Sequence, residues 1–304
     1  MEKLYGQYVE ILLNKIKLAR RSIRSFFRQI TTDSISSIAS AILKRDPHAR
    51  QFVLRKILND KLTSPISSNE IDSIVNFSSY WRDEWVAQQA ALIPLGALVL
   101  DAGAGQGRYK SLFSHTRYHA QDFAQYKGDS DGPLRETWDY APLDYVCDIT
   151  DIPVGDNFFD VVICTEVLEH LPNPIAALQE LSRVTKSGGK LIVTAPLGSG
   201  IHQEPYHFYG GFSPFFYQKY LTEFGFEINE IKPIGGLMRH VSQEIYRAAN
   251  IIDNRGTLLN DEIRYVMKDW LPRLLSEVDQ EYFINQFTVG YLVSAIKTKN
   301  SNEH

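Results

Sequence analysis

The sequence predicts an α/β fold in which helices cover both faces of a doubly wound, seven-stranded, mostly parallel sheet. Two observations predict it. From Leu98 onward, short apolar runs alternate with segments of helical periodicity, which is the pattern of a buried parallel sheet. One of these runs leads directly into three closely spaced glycines, as expected where a strand is followed by a tight turn and a helix at a ligand site.

Seven segments have the apolar composition and the length of strands. Four further segments have helical periodicity, and a Ser-Gly-Gly sequence at 187–189 is predicted to end the first of them. Ser213 is the predicted N-cap of the second. The predicted strands are 97–101, 118–122, 145–148, 161–165, 190–195, 226–231 and 288–296, and the predicted helices are 174–185, 214–224, 237–252 and 261–275.

The chain divides into a main core and appended segments. Residues 1–77 are predicted to be an N-terminal helical extension, and 78–236 the core. The connection between the sixth and seventh strands, about 55 residues long, far exceeds the usual length. Residues 237–284 are therefore predicted to be a helical insertion that covers the substrate side or forms a homodimer contact. Residues 285–304 supply the final core strand and a tail.

The composition excludes several classes of protein. The chain of 304 residues is 44% hydrophobic and 22% charged, which is typical of globular proteins rather than disordered chains. Its 32 Lys and Arg against 36 Asp and Glu give a net charge of -4, so it lacks the basic excess of a general DNA binder. Two cysteines, Cys147 and Cys164, are too few for a disulfide framework or a thiolate metal cage. No apolar run has membrane-spanning length and no signal peptide is recognisable, so a cytoplasmic location is expected.

Residues 12–30 are predicted to form an amphipathic helix, because apolar residues recur at spacings of three or four. We expect the apolar stripe to dock on the core while the cations face solvent. The alternative is contact with an anionic membrane surface, which would make the protein peripheral at the inner membrane. The stripe consists of Leu12, Ile16, Ala19, Ile23, Phe26 and Ile30, and the other faces carry Lys15, Lys17, Arg20, Arg21, Arg24 and Arg28.

The glycine-rich run after the first strand is the strongest indication of a ligand site. Asp101 ends the strand, and Gly103, Gly105 and Gly107 follow at spacings of two. Glycine permits a sharp turn and a close approach of the backbone to a ligand, and the free amides of a following helix favour negative charge. A nicotinamide dinucleotide fingerprint would require glycine where Arg108 stands. The loop therefore predicts a small anionic or zwitterionic ligand rather than a standard dinucleotide.

This run resembles motif I of the class I S-adenosylmethionine-dependent methyltransferases, in which an acidic residue ends the first strand and a G-x-G-x-G loop follows. The FFDVVI sequence at 158–163 resembles the family's fourth strand, and the GYLV sequence at 290–293 resembles its seventh. The resemblance extends from Tyr80 to Ile296. It implies a Rossmann-like sheet whose last strand is antiparallel, with S-adenosylmethionine as the cofactor.

The family's cofactor contacts carry over to matching positions of this chain. Asp122 stands where the family places a carboxylate on the ribose hydroxyls, and Phe123 beside it would pack on the adenine. Asp148 stands where the family accepts a hydrogen bond from the adenine amino group, and Ile149 would offer its amide. The YWRD sequence at 80–83 resembles the family's entry segment, which puts Trp81 near the methionine end. The cofactor set implied is Trp81, Asp101, Gly103, Ala104, Gly105, Gly107, Asp122, Phe123, Asp148, Ile149 and Glu166.

A second group of polar residues follows the fourth strand. If a helical turn starts at Glu166, the side chains of Glu169 and His170, three and four residues later, lie on the same side of the turn as that of Glu166. His207, or His202 in the same loop, adds an imidazole at the same sheet edge. The E-x-x-E-H sequence resembles the metal-binding motif of the small-RNA 2'-O-methyltransferases, which implies Mg²⁺ or Mn²⁺ held by Glu166, Glu169, His170 and His207. The alternative is that His170 acts as a metal-free base.

The resemblance implies methyl transfer from S-adenosylmethionine, and the side chains favour a hydroxyl acceptor. A hydroxyl must lose a proton, and the candidate catalytic groups are His170, His207 and Glu166. The aromatic and glycine-rich sequence at 207–214 favours a small molecule, a glycan or a secondary metabolite as acceptor, and hence a biosynthetic enzyme. Alternatives are an RNA 2'-O-methyltransferase-like enzyme with a metal site, an NAD-dependent oxidoreductase and a noncatalytic S-adenosylmethionine-binding adapter.

Overall fold

The computed structural model of the protein describes residues 66–128, 138–255 and 259–298. All seven predicted strands are present in these ranges. They are β1 (Leu98–Ala102), β2 (Arg117–Asp122), β3 (Tyr145–Val146), β4 (Phe159–Thr165), β5 (Thr185–Pro196), β6 (Phe226–Pro233) and β7 (Gly290–Lys297). They form one sheet in the order β3-β2-β1-β4-β5-β7-β6.

The pairing of the strands confirms the predicted doubly wound, Rossmann-like fold. β1 is parallel to β2 and β4, β2 is parallel to β3, and β4 is parallel to β5. β7 lies between β5 and β6 and is antiparallel to both. Because the chain winds outward in opposite directions from β1 and β4, the loops at their carboxyl ends separate. That crevice is where ligands bind in sheets of this kind.

The described helices include those predicted from periodicity. α1 and α2 precede the sheet, and α5 to α7 lie between β6 and β7. The helices are α1 (Ser68–Ile74), α2 (Phe77–Ala91), α3 (Pro174–Val184), α4 (Pro214–Glu223), α5 (Leu237–Asn254), α6 (Asp261–Tyr265) and α7 (Leu271–Glu281), with a π-helical turn at Val266–Trp270 and 3-10 turns at Lys110–Phe113, Leu168–His170 and Asn285–Phe287.

The helix before β5 ends within one residue of its predicted bound, but the Ser-Gly-Gly sequence does not end it as predicted. α3 ends at Val184, and the Ser-Gly-Gly sequence lies inside the strand, which begins at Thr185. The hydroxyl of Thr185 donates to the carbonyl oxygen of Leu181 at 2.5 Å, while its backbone is already extended. Thr185 also aligns with Phe159 of β4, beside an irregularity in the register of the two strands. The strand therefore starts directly after the helix, five residues before its predicted start at 190, and the Ser-Gly-Gly sequence is part of it.

Apolar side chains fill both faces of the sheet. Successive strand residues point to opposite faces, so Val99 packs with α2 while Leu100 packs with α3 and α4. On the α2 face, Trp85 and Phe77 complete the core. On the other face, Tyr217 of α4 is fully buried. The two cores fix the strands, so the loops at their carboxyl ends have a rigid base.

The insertion is anchored to the core through a buried carboxylate. Asp279 of α7 is 3% exposed and accepts hydrogen bonds from the amides of Gly236, Met238 and Arg239 at 2.9, 3.1 and 3.3 Å. A carboxylate at a helix N-terminus satisfies free amides and complements the helix dipole. The Arg239 guanidinium also lies 4.5 Å from the ring centre of Trp81 on α2. The predicted substrate cover or homodimer contact of this insertion stays a prediction.

Two sequence predictions fall on the remaining parts of the chain. The amphipathic helix at 12–30 lies outside the described residues, as does most of the predicted extension 1–77. Within the ranges that the structure describes, none of the helices combines the length and apolarity that crossing a membrane requires. Both cysteines are free thiols, with Cys164 buried and Cys147 half-buried.

Candidate active site

A cavity of about 1120 Å³ lies where β1, β2 and β4 end. Asp101, Asp122 and Thr165, the last or nearly last residues of these strands, all line it. Pockets for one small ligand usually have volumes of about 300 to 1000 Å³, so this cavity has room for a cofactor together with part of an acceptor. All predicted cofactor residues except Trp81 and Gly107 line it.

The glycine loop forms the floor of the cavity and leaves no room for side chains. Gly103 and Gly105 have φ values of 78° and 51°, in the left-handed region that favours glycine. A Cβ atom on Gly103 would lie 2.4 Å from Cγ2 of Val167, and one on Gly105 would lie 2.8 Å from Cζ2 of Trp138. Glycine at both positions is therefore required by backbone conformation and by space.

Asp122 binds the backbone on either side of the cavity. Its Oδ2 accepts from the Gly105 amide at 2.9 Å, and its Oδ1 accepts from the Ala124 amide at 3.0 Å. The side chain is largely buried, and desolvation raises the pKa of its carboxyl group while these amide hydrogen bonds oppose the rise. The carboxylate thus holds the loop in place and still lines the cavity.

Gln121 is a cavity residue that the sequence analysis missed. Its Oε1 accepts from the Gly103 amide at 3.1 Å, and its Nε2 donates to the Cys147 carbonyl at 2.7 Å. It therefore ties the glycine loop to the segment after β3. A polar residue in a strand just before a predicted ligand contact was the available signal, because such a buried side chain needs partners.

Asp101 places a carboxyl group in the interior of the molecule. It is 2% exposed, and its Oδ2 accepts from the Tyr118 hydroxyl at 2.6 Å. Desolvation raises the pKa of Asp101 to about 7, with a smaller rise from the neighbouring Asp122. A cation bound in the cavity would stabilise its ionised form.

Arg82 is the second cavity residue that was missed. Its Nη1 lies 2.9 Å from Oε2 of Glu166, and its Nε donates to the Tyr109 hydroxyl at 3.1 Å. Glu166 has a φ of 54° and accepts from the Thr194 hydroxyl at 2.8 Å. Non-glycine residues rarely have a positive φ, and those that do are often found at functional sites. The ion pair lines one wall of the cavity.

Three predicted cofactor residues have other contacts. Trp81 packs edge-on against Phe77, with ring centres 5.5 Å apart, and lies outside the cavity lining. Gly107, with a φ of 72°, also lies outside it, and a Cβ there would come within 2.8 Å of Cβ of Ala141. Asp148 lines the cavity, but its Oδ1 accepts from the amide and the hydroxyl of Thr150 at 2.8 and 2.7 Å. β3 is only two residues long, and Asp148 therefore lies in the turn that follows the strand rather than at the strand end.

Aromatic side chains form the remaining wall. Phe123 and Tyr206 meet edge to face with ring centres 4.9 Å apart. Trp138 covers the glycine loop, and Phe208 is 49% exposed at the rim. Phe123 and the aromatic sequence at 207–214 were predicted as site residues from the sequence, but Trp138 was not, since no periodic pattern connects that residue to the glycine loop.

Three histidines converge beside the cavity. His170 lines the cavity, and His202 and His207 from the loop after β5 lie next to it. One potential ligand atom from each lies within 4.8 Å of the others. Burial and, to a smaller extent, the two neighbouring imidazoles lower the pKa of His170 to about 4, although the hydrogen bond to the Tyr206 carbonyl opposes the shift, so His170 is neutral near pH 7. Each pair of the three rings is in edge-to-face contact.

The structure differs from the predicted metal set at the two glutamates. The helical turn begins at Leu168 rather than at Glu166, which pairs with Arg82. Glu169 is 1% exposed, with Oε1 3.7 Å from Nε2 of His170. Desolvation, followed by the charge of Glu166, raises the pKa of Glu169 well above its usual range. The ligand atoms that come together are those of three histidines.

Comparisons with known proteins find methyltransferases similar to part of the chain. Residues 100–193 match the family model described as "Methyltransferase domain". The chain is 27% identical over 212 residues to a sarcosine/dimethylglycine N-methyltransferase of Halorhodospira halochloris, covering 65% of this chain and 73% of that protein. It is 31% identical over 130 residues to a demethylmenaquinone methyltransferase of Clavibacter sepedonicus, covering 41% of this chain and 51% of the relative.

A further relative is an uncharacterized protein of Methanocaldococcus jannaschii, which is 32% identical over 131 residues. The match covers 41% of this chain and 53% of that protein. The chain thus spans about half the length of two of these three curated relatives. The matched residues 100–193 run from β1 to β5 and contain the glycine loop and His170, but not His202 or His207.

Proposed function

We propose that this chain, which through residues 100–193 belongs to the class I S-adenosylmethionine-dependent methyltransferases, transfers the cofactor's methyl group to a hydroxyl of a small molecule or glycan. One observation carries the proposal. The same cavity is lined by the glycine loop, by Asp122 and by His170, whose lowered pKa leaves it neutral near pH 7. A hydroxyl acceptor needs a group that accepts its proton, whereas a neutral amine needs less help.

The residues of the cavity fit the cofactor. Gly103 and Gly105 keep the floor free of side chains, so a nucleoside can approach the backbone closely. Asp122 can accept from the ribose hydroxyls. The buried carboxyl group of Asp101 offers a negative charge to the ammonium or the sulfonium, both of which are cationic. Phe123 and Ile149 supply apolar surface and an amide for the adenine.

The chain's residues would align the reactants and receive a proton. S-adenosylmethionine supplies a methyl group on a sulfonium, and the reaction breaks the S–CH₃ bond as the acceptor oxygen forms the new bond. The aromatic wall of Tyr206 and Phe208 would hold a ring-shaped acceptor and exclude water. Nδ1 of His170 bonds to the Tyr206 carbonyl at 2.8 Å, so this nitrogen carries a proton and Nε2 is left to accept one from the hydroxyl.

The experiment that tests this function is an acceptor screen with the purified chain. Sugars, phenols, lipids carrying a hydroxyl, amines and short RNA are each offered with S-adenosylmethionine, and S-adenosylhomocysteine formation is measured. We expect turnover with members of the hydroxyl classes. Reactions without the protein give the background, and Asp122→Ala, which removes the carboxylate proposed to bind the ribose, should turn over more slowly at a subsaturating cofactor concentration. Turnover with amines alone would contradict the hydroxyl assignment, and turnover with RNA alone would favour the RNA-modifying alternative.

Cofactor binding should depend on pH through Asp101. Because its pKa is raised to about 7, Asp101 holds a proton at pH 6. A bound cation favours the carboxylate, so binding should release protons at pH 6, and affinity should rise with pH up to about 7 and then level off. Calorimetry at pH 6 in two buffers with different ionisation enthalpies measures the release. Asp101→Asn should abolish the buffer dependence, and equal heats for the native chain in both buffers would contradict the assignment.

A further inference from the structure

The cluster of His170, His202 and His207 has the arrangement of a metal site. Ring centres are 4.7 Å apart for His170 and His202, 4.7 Å for His202 and His207, and 5.9 Å for His170 and His207. The ring planes meet at 84°, 79° and 86°, so each pair is edge to face rather than stacked. Nitrogen ligands around a tetrahedral Zn²⁺ ion are about 3.4 Å apart, from a Zn–N distance of about 2.1 Å. The ligand atoms lie within 4.8 Å of one another, so binding an ion would require side-chain rotations that bring each pair closer by at most about 1.4 Å.

Hydrogen bonds to backbone carbonyls fix two of the rings. Nδ1 of His170 lies 2.8 Å from the Tyr206 carbonyl, and Nδ1 of His202 lies 2.9 Å from the Gly200 carbonyl. A carbonyl oxygen only accepts, so both Nδ1 atoms carry protons and both Nε2 atoms keep a lone pair. Metal-binding histidines are held in the same way, with the second ring nitrogen donating to a carbonyl or carboxylate.

Two buried polar atoms next to the cluster have no partner among the described residues. They are Nδ1 of His207 and Oε2 of Glu169. Leaving such atoms unpaired in the interior costs free energy. Glu169 is 1% exposed, and its other carboxyl oxygen lies 3.7 Å from Nε2 of His170. A cation at the cluster would compensate the buried carboxylate and give the third imidazole a partner.

The two segments that carry the histidines are tied together. The backbone carbonyl of Glu169 accepts from the amides of Phe208 and Tyr209 at 2.9 and 3.2 Å. The 3-10 turn at Leu168–His170 is therefore fixed to the loop that carries His202 and His207. Because a metal site requires its ligands to be held within narrow limits, this bracing favours a preformed site.

We propose that His170, His202 and His207 bind one divalent cation of the Zn²⁺ class, with Glu169 as its buried counter-charge. Three imidazoles suit Zn²⁺, Co²⁺, Ni²⁺ or Fe²⁺, whereas Mg²⁺ prefers oxygen ligands. The site therefore differs in ligands and in metal from the Mg²⁺ or Mn²⁺ set expected from the E-x-x-E-H sequence. His202 is at least partly exposed, so an ion can enter from solvent.

The position of the site gives it a role that rests on the proposed function. His170 lines the same cavity as the glycine loop. With a divalent cation bound, Nε2 of His170 would be a ligand rather than a base, and the cation would instead favour ionisation of a hydroxyl held near it, with the proton passing to solvent. The cluster thus selects acceptors in which a second polar atom or the hydroxyl itself can reach the cation, such as vicinal diols of sugars or catechol-like phenols.

The test is a titration of the full chain, free of any affinity tag and treated with chelator, with ZnCl₂ in a calorimeter. One equivalent should bind. His202→Asn keeps a donor for the Gly200 carbonyl but loses Nε2, and we expect its Zn²⁺ affinity to fall about 100-fold or more. His240→Asn is the matched control, because Nδ1 of His240 also bonds to a backbone carbonyl, that of Phe287 at 3.1 Å, but away from the cluster. Its affinity should equal that of the native chain.

A second readout covers the case in which His202→Asn is misfolded. Co²⁺ added to the native chain should give the visible absorption of a nitrogen-ligated ion, and one equivalent of Zn²⁺ should remove it. S-adenosylmethionine is titrated into the same preparation. Binding of the cofactor without binding of Zn²⁺ overturns the metal site and leaves the proposed function standing. Binding of Zn²⁺ without binding of the cofactor overturns the proposed function and leaves the metal site standing. Equal Zn²⁺ affinity in a folded His202→Asn variant also overturns the site.

Discussion

Gly103→Ala is expected to weaken S-adenosylmethionine binding at least about 100-fold and to lower the free energy of unfolding by roughly 2 to 4 kcal/mol. Gly103 has a φ of 78°, which costs any other L-residue about 1 to 2 kcal/mol. The new Cβ would also lie 2.4 Å from Cγ2 of Val167, so one of the two segments must move. The glycine loop would shift away from Asp122, and the cavity floor would change shape.

Calorimetry with the cofactor and denaturant unfolding measure the two effects. Gly155→Ala is the matched control, because a Cβ on Gly155 meets no atom within 4 Å and its backbone is not left-handed. We expect Gly155→Ala to leave cofactor affinity unchanged. If Gly103→Ala behaves like Gly155→Ala in both measurements, the steric account of the loop is wrong.

His170→Asn is expected to lower turnover by about 10²- to 10⁴-fold while leaving cofactor affinity nearly unchanged. The asparagine amide can still donate to the Tyr206 carbonyl, so the loop after β5 keeps its anchor. What the variant loses is Nε2, the atom that would accept the acceptor's proton or bind a cation. The largest loss is expected with hydroxyl acceptors.

Single-turnover kinetics with a productive acceptor, together with cofactor titration, measure the effect of His170→Asn. His240→Asn again serves as control, since it removes an imidazole of similar bonding far from the cavity. An unchanged rate for His170→Asn would show that His170 takes no part in the methyl-transfer step. A loss of rate that is matched by an equal loss of cofactor affinity would indicate a structural role instead.

The glycine loop was predictable because its signal is local. Asp101, Gly103 and Gly105 lie within five residues of one another, where β1 leads into a turn. Both glycines have the positive φ values that such a turn requires. The positions of the seven strands and the doubly wound class of the sheet were predictable from local patterns in the same way, whereas the order of the strands in the sheet was not predicted. Local patterns therefore located the cofactor end of the site.

Helical periodicity could have corrected the choice of Trp81. Phe77, Trp81 and Trp85 are spaced by four, so they form one face of α2, which packs on the sheet. Arg82 lies off that face and reaches the cavity. An aromatic residue in such a stripe is core, and the neighbouring polar residue is the candidate for ligand contact.

The histidine cluster was predictable in part. The doubly wound topology puts the loop after β5 at the same sheet edge as His170, so an imidazole from His202 or His207 was expected there. No spacing rule indicates that both histidines, more than 30 positions from His170, meet it while the two glutamates do not. The ion pair of Arg82 with Glu166 depends on a similar long-range contact. Because Glu166 pairs with Arg82, its carboxylate is not one of the ligand atoms that come together at the histidines. Both features arise from packing between segments rather than from any local pattern.

The central claim is that the carboxyl edge of this sheet binds S-adenosylmethionine. Calorimetric titration of the purified chain tests it most directly, with NAD⁺ as a second ligand and Asp122→Ala as a variant. We predict one equivalent of S-adenosylmethionine per chain, no heat from NAD⁺, and an affinity about 10- to 100-fold lower in the variant, from the loss of about 1 to 3 kcal/mol of charged hydrogen bonds. No binding of S-adenosylmethionine, or binding that Asp122→Ala leaves unchanged, would contradict the account.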